Sequence, residues 1–356
     1  MEGPSMPRPP FDPALEKARR AFPPGAFNSV VSLRSQPDPF TLEYFLNQYP
    51  NLTHTEHTIP GPASNPDGPG VTLSIFQRKP TADIKTPPRP RPAIYNIHGG
   101  GQIAGTRFTG LSFLAPWFMD ANARGDADLD VILITVEYRL APEHRAPAAL
   151  DDCYAGLSWV FDSADGLGID RERIMIVGVS GGGPIAAGCV MRAARDCTPS
   201  KGGGECPRLC AQLLSTPMLD DRVNTISSKQ YASSSSTDGD GPWNAETNRM
   251  AWTCVLGAEH RGTDSVSPLV SPARATPTDL AGMSLPPAFI DVGAAEVFRD
   301  EVVAYASVLW ESGVSAELHV WPGAWHGFDA MAPDAAVSGA ARGVKKDWIR
   351  RVLGAE

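Results

Sequence analysis

Five short runs constrain this chain most: AIYNI (93–97), VILITVEY (131–138), RIMIVGV (173–179), AQLLSTPM (211–218) and AFIDVGA (288–294). Each is nearly unbroken in apolar and β-branched residues, the composition of a strand buried on both faces. Helical patterns separate several of them: APAALDDCYAGLSWVFD, GPIAAGCVMRAARD and VVAYASVLWESG. That alternation predicts an α/β chain with a mostly parallel central sheet flanked by helices. Upstream, VTLSIFQR alternates like a half-exposed strand. Downstream, AELHVWPG supplies a last strand before a final helix near AARGVKKDWIRRVL.

Two helical patterns open the chain. DPALEKARRAF offers Asp12 and Pro13 as N-cap and first helical residue. DPFTLEYFLNQY repeats the device with Asp38 and Pro39 and sets Phe40, Leu42, Phe45 and Leu46 on one apolar face. IPGPASNPDGPG marks a boundary near residue 60, and KPTADIKTPPRPRP reads as a polar loop. The rhythm breaks again over 219–267, where a serine-rich stretch precedes a helical pattern running from Trp243 to Leu256. A long insertion between core strands, anchored by Trp243, Met250 and Trp252, reads as a lid. The expected organisation is N-terminal helices over 1–60, a core over 61–218 and 268–356, and an insertion over 219–267.

The 356 residues are 42% hydrophobic and 20% charged, the balance of an ordinary soluble domain. A net charge of −9 argues against a nucleic-acid partner. No run of apolar residues is long enough to span a membrane. The N-terminal MEGPSMPRPPFDPALEKARR has no apolar core region of a secretory signal, so a cytoplasmic protein is expected. Cys197, Cys206 and Cys210 form the only cysteine cluster, without zinc spacing. Reduced thiols are the expected state, with a disulfide inside CTPSKGGGEC as the alternative.

The run RIMIVGV leads into Gly178, Val179, Ser180, Gly181 and Gly182, a G-x-S-x-G pentapeptide between a predicted strand and a predicted helix. Small residues there are what a sharp strand-to-helix turn needs, and such a turn also exposes a serine hydroxyl beside helix N-terminal N–H groups. Some eighty residues earlier, NIHGGG closes another strand. Consecutive glycines let backbone N–H groups approach a carbonyl oxygen and hold the charge it acquires in a tetrahedral intermediate. Alone, either motif could be a plain turn; together on one βαβ chain they point to catalysis.

A serine hydroxyl needs a base. Of seven histidines, His54 and His57 precede the core, His144 and His260 sit in a loop and in the insertion, His98 belongs to the glycine loop, and His319 falls in a strand pattern. His326, in WPGAWHGF after the last strand, has the loop freedom to swing over the strand ends. The acid is sought between Ser180 and His326, where FIDVGAAEVFRDE offers Asp291, Glu296, Asp300 and Glu301. Asp291 lies within the strand, while Asp300 and Glu301 fall in the helix and are more simply solvated or paired with Arg299. Glu296 stands where strand gives way to helix, at the carboxyl end where sites assemble.

HGGG, YRLAPEH…PAALDD, GVSGGG, TPMLDDR, SPLVSPA, EVFRDE and PGAWHGF, spread over 93–328, resemble the hormone-sensitive-lipase-like carboxylesterase branch of the α/β-hydrolase fold family. The resemblance implies Ser180 as nucleophile, His326 as base, Glu296 as acid, and the N–H groups of Gly100, Gly101 and Gly181 as oxyanion donors. It also implies a helical cap built from the N-terminal helices and the 219–267 insertion. No metal or cofactor is called for, and the expected partner is a small-molecule ester, with a homodimer compatible. Departures from the family pattern are Val179 for an acidic residue, Gly181 for alanine, Glu296 for aspartate, and Gln102 for an aromatic residue. The last leads to the expectation of a more polar acyl pocket.

The reaction so implied is hydrolysis of short- to medium-chain acyl esters through an acyl-enzyme, with deacetylation or lactone opening of a natural product compatible. The alternatives are acyl transfer or cyclisation by the same three residues, or a binding relative without turnover.

Overall fold

The uninterrupted apolar runs do become the interior strands. In a computed structural model, described over residues 6–21, 27–35, 40–66, 68–79, 89–117, 129–197, 206–232 and 241–354, eight strands form one sheet. They are β1 (Leu52–Ile59), β2 (Val71–Arg78), β3 (Arg91–Ile97), β4 (Ile132–Glu137), β5 (Ile169–Val179), β6 (Ala211–Ser215), β7 (Ala288–Gly293) and β8 (Ala316–Trp321). Their order across the sheet is β1-β2-β4-β3-β5-β6-β7-β8. The β1–β2 and β2–β4 pairs are antiparallel, and every other pair is parallel.

Helices cover both faces, which is why β3 to β7 need no polar side. The helices Ala148–Asp162, Gly182–Asp196 and Arg299–Glu311 bury Leu157, Ile185, Val190, Val302 and Leu309 with Ile97, Ile134 and Ile176 of the sheet. On the opposite face the helices Leu42–Gln48 and Ala336–Leu353 bury Phe45, Trp348 and Ile349 with Phe76, Leu133 and Val177. Strand β2 is buried more deeply than its alternation implies. Leu73 and Ile75 join one core and Phe76 the other, because β1 lies outside it as the edge.

The N-terminal region departs from expectation in three ways. Residues 52–59, placed ahead of the core by the sequence reading, pair with β2 as the edge strand. A helix not anticipated, Val30–Arg34, begins in a reciprocal capping box between Ser29 and Ser32. The helix Leu42–Gln48 is capped by the Thr41 side chain on Tyr44 N–H, and Asp38 and Pro39 lie outside the described residues. The first helix matches its signal: Pro13–Arg20 starts at Asp12, whose carboxylate accepts Ala14 N–H at 2.8 Å.

Cys197 and Cys206, expected as reduced thiols, are joined by a disulfide, their Cα atoms 5.5 Å apart as such a bond requires. The polar loop over 80–88 and the serine-rich stretch over 233–240 lie outside the described residues. Among the described residues no helix is long and apolar enough to cross a membrane.

One buried charge group ties the C-terminal helix to the sheet. Lys345 is fully buried, with Nζ 2.8 Å from Asp291 within β7 and 2.7 Å from Asp329 beyond it. The Trp321 indole N–H donates to the same Asp291 oxygen at 3.0 Å, and the ammonium lies 4.7 Å from the Trp117 ring centre. Burial works against the ammonium, yet the two carboxylates outweigh it and raise its pKa above the ordinary 10.5. Its stabilising contribution is therefore complete through neutral pH and is lost only as pH rises through that elevated value. Lys345→Met strands two carboxylates in the interior, and chemical denaturation at pH 7 should show a loss of about 3–5 kcal/mol.

Candidate active site

Strand β5 ends at Val179, and the helix Gly182–Asp196 begins three residues later. So abrupt a reversal forces Ser180 to φ +52°, the left-handed region that a residue with a Cβ occupies only at a cost. The turn is held by Ser180 N–H to Ser215 O at 2.9 Å, Gly183 N–H to Ser180 O at 2.9 Å and Met218 N–H to Ser180 O at 3.1 Å. Neighbouring backbone crowds the turn from the other side. A Cβ at Gly181 would fall 2.5 Å from the Gly101 nitrogen and 2.7 Å from that of Gln102, so the β5 turn and the glycine loop face each other without room for a side chain. The alanine usual in the family would have to displace that loop.

The hydroxyl so presented stands 2.9 Å from His326 Nε2. On the far side of the imidazole, Nδ1 is 2.8 Å from Glu296 Oε2. An ionised carboxylate only accepts, so Nδ1 carries the proton and Nε2 is left to accept from Ser180 Oγ–H. Glu296 is itself aligned by Gly293 N–H, which donates to Oε1 at 3.0 Å. All three side chains are buried, Glu296 most completely at 1% exposure. Phe298 stands edge-on to the imidazole at 5.1 Å and Trp243 lies tilted at 6.2 Å, which restricts its rotation.

The glycine loop after β3 runs through three successive positive φ values, +105° at Gly100, +62° at Gly101 and +62° at Gln102. Among the described residues, the N–H groups of Gly100, Gly101 and Gly181 have no acceptor within the protein. Unpaired backbone donors beside a buried hydroxyl are what a developing oxyanion requires. His98 is the packed histidine of this loop, stacked on Tyr138 at 4.2 Å with Nδ1 2.8 Å from Gly99 O.

The other carboxylates of the acid segment are engaged elsewhere. Asp291 belongs to the Lys345 group, and Asp300 accepts Ser227 N–H and pairs with Arg299. Glu301 differs from expectation: it is 2% exposed and accepts the N–H groups of Leu219 and Asp220, while burial, with the neighbouring Asp220 charge, raises its pKa well above 4.5. A helix face turned inward over the 219–221 backbone, not one turned to solvent, explains the difference. His319 is the sheet residue it was read as, paired with Glu317 and stacked between Phe289 and Trp321.

Ser180 and His326 open onto a cavity of about 560 Å³. Its walls are largely apolar: Phe27 and Phe40 come from the N-terminal region, Phe113 and Trp117 from the segment after the glycine loop, Trp243 from the insertion and Met331 from beyond His326. Gln102 is not among them. It lines a separate small hollow with Ala146, Leu150 and Ile185, so the expected polar contribution to the acyl pocket is not made by this residue. Among the described residues the lining of the main cavity includes two charged side chains, Asp329 and Arg342, neither of which the sequence singled out, beside polar ones such as Asn96, Thr109 and Thr216.

Comparison with known proteins finds relatives of the same fold. The family model of the alpha/beta hydrolase fold matches residues 94–330. A carboxylesterase of Mycobacterium tuberculosis, NlhH, is 35% identical over 255 residues, 71% of this chain and 72% of the relative. An ethyl acetate hydrolase of Pseudomonas putida is 29% identical over 262 residues, covering 74% of this chain and 73% of its own. Among solved structures, a bacterial heroin esterase superposes with a TM-score of 0.78 at 31% identity, covering 96% of this chain and 98% of that one.

The φ of Ser180 carries a consequence for stability that is separate from chemistry. Ser180→Ala and Ser180→Gly both delete the hydroxyl, but only glycine accepts φ +52° freely. Urea denaturation should find the glycine variant about 1 kcal/mol more stable than the alanine variant.

Proposed function

Because the chain belongs to the hormone-sensitive-lipase-like branch of the α/β-hydrolase family and is a carboxylic ester hydrolase, we propose that Ser180, His326 and Glu296 hydrolyse short- to medium-chain acyl esters of apolar small molecules through an acyl-enzyme. The observation that carries this reading is the continuous hydrogen-bonded line from Ser180 Oγ through His326 to Glu296, with Ser180, His326 and Gly100 lining an apolar cavity and the N–H groups of Gly100, Gly101 and Gly181 without an acceptor among the described residues.

In this mechanism His326 Nε2 takes the Ser180 proton as Oγ attacks the ester carbonyl carbon. Glu296 keeps the imidazole in the required tautomer and stabilises the imidazolium that forms. The carbonyl oxygen, now negative, sits against the N–H groups of Gly100, Gly101 and Gly181. Collapse of the tetrahedral intermediate expels the alcohol, which receives its proton from His326. Water then enters, gives a proton to His326 and attacks the acyl carbon, and Ser180 leaves with the proton returned. The N-terminal segment and the 219–267 insertion act as the cap over this centre, Phe27, Phe40 and Trp243 supplying its apolar inner surface. A volume of about 560 Å³ is in the range that admits a drug-sized ligand, which supports esters bulkier than those of the smallest alcohols.

The test is hydrolysis of p-nitrophenyl esters from acetate to dodecanoate. Turnover should peak at a short or medium chain, fall by about three or more orders of magnitude in Ser180→Ala, and be accompanied by fluorophosphonate labelling that the variant loses. Glu296→Gln leaves the imidazole in the wrong tautomer and should lower kcat by about 10³–10⁴. A well-folded protein that neither hydrolyses any of these esters nor takes the label would contradict the reading.

A further inference from the structure

The three left-handed residues of the glycine loop cannot be held by the loop alone. Among the described residues its internal backbone–backbone bonds are two, Ile103 N–H and Ala104 N–H to Gly100 O, each at 3.0 Å. Gln102, unlike its two glycine neighbours, has a Cβ to accommodate at φ +62°, and strain of that kind persists only where the surroundings impose it.

Two outside groups impose it here. Gln102 O accepts Ala141 N–H at 2.9 Å, and Ile103 O accepts Arg34 Nε–H at 2.7 Å. Arg34 also donates from Nη2 to Ala141 O at 2.9 Å. The guanidinium therefore closes a ring: it binds the loop directly at Ile103 and binds the segment that holds the loop at Gln102. The remaining donors form a two-point pair with Glu143, Nη1 to Oε1 at 2.7 Å and Nη2 to Oε2 at 2.8 Å. Only a planar fork with several fixed N–H directions can serve two carbonyls and a carboxylate together, which an ammonium cannot. Arg34 ends the short helix Val30–Arg34, whose Leu33 lines the cavity, so the tie comes from the segment that covers the substrate. From the other flank Trp243 presses on the same loop, its ring edge 2.5 Å from where a Gly101 Cβ would lie.

We propose that Arg34 is a positioning residue of the oxyanion site, fixing Ile103 and Ala141 so that the N–H groups of Gly100 and Gly101 point at the reacting carbonyl oxygen. This rests on the esterase reading, in which those donors hold the oxyanion. A misaimed donor weakens the transition state more than the bound ester, so the loss appears in kcat. An arginine that merely staples the N-terminal segment would change stability or KM instead.

The experiment compares wild type, Arg34→Gln, Arg34→Lys and Glu143→Gln for kcat and KM on p-nitrophenyl butyrate, thermal stability, and inhibition by an aryl-alkyl trifluoromethyl ketone. With that ketone Ser180 Oγ adds to the carbonyl carbon, its proton passes to His326, and the oxyanion is left against the donors. Arg34→Gln should lower kcat about 10- to 100-fold with KM changed less than about threefold, and weaken the ketone by the same factor as kcat/KM. Arg34→Lys, which keeps the charge beside Glu143, should show the same loss in kcat and guards against a glutamine variant that fails to fold. Glu143→Gln, which leaves both carbonyl contacts in place, should stay within about threefold of wild type. Wild-type kcat and ketone affinity in a folded Arg34 variant, whatever its melting temperature or KM, would overturn the proposal and leave the esterase reading standing. Absence of ester turnover and of fluorophosphonate labelling in the wild type would overturn both.

Discussion

The turn at Ser180 is the constraint around which the molecule is arranged. A parallel strand buried on both faces must pass into a helix within three residues, and the chain manages this only by placing a non-glycine residue at φ +52°. Neighbouring backbone comes close to that turn. Gly181 meets the glycine loop nitrogen atoms, and β6 supplies Ser215 O to hold the Ser180 N–H. Because β3 and β5 are neighbours in the sheet, their carboxyl ends bring the glycine loop and the serine together without any long-range loop having to find its place.

The imidazole side is secured differently, by charge. The loop carrying His326 follows the edge strand β8, where backbone pairing exists on one side only. Lys345 compensates: from the C-terminal helix it binds Asp329, three residues past His326, and Asp291 within β7. Glu296 has its own tie, Gly293 N–H donating to its Oε1. Taking an ammonium and two carboxylates out of water is costly unless they meet one another, and here the group ties the loop to β7 and the C-terminal helix in addition to the packing of Trp325 and Phe328.

Much of this was legible in the sequence, for reasons that can be named. The interior strands announced themselves because burial on both faces demands uninterrupted apolar runs. Ser180, the glycine loop, His326 and Glu296 were legible because a sharp turn, free N–H groups and a loop after the last strand each leave a local pattern. What escaped notice was set by contacts between distant segments. Leu52 to Ile59 carries two histidines and little apolar periodicity, so its role as an edge strand depends on β2 being there to pair with it. Glu301 and Lys345 look like surface charges within helical patterns, and only tertiary packing shows that both are buried. Arg34 belongs to the same class, since its partners are 69 to 109 residues away.

The apolar cavity has two opposite effects on the chemistry proposed for it. Walls such as Phe113, Trp117 and Trp243 keep the local dielectric low, which strengthens the interaction of a negative oxygen with the loop N–H groups and of an imidazolium with Glu296. The same walls offer a substrate little direction, because apolar contact distinguishes one methylene from another by only about 1–3 kcal/mol. Selectivity among esters must therefore come from shape and from the polar groups of the lining, among them Arg342, which donates to the backbone carbonyls of Asp329 and Pro333, and Asp329, whose carboxylate is engaged by Lys345. Asp329 lies three residues past His326, in the short helix Phe328–Met331. A substrate group reaching Asp329 would thus press on the segment that carries His326, which links recognition there to the alignment of the proton transfer proposed for it.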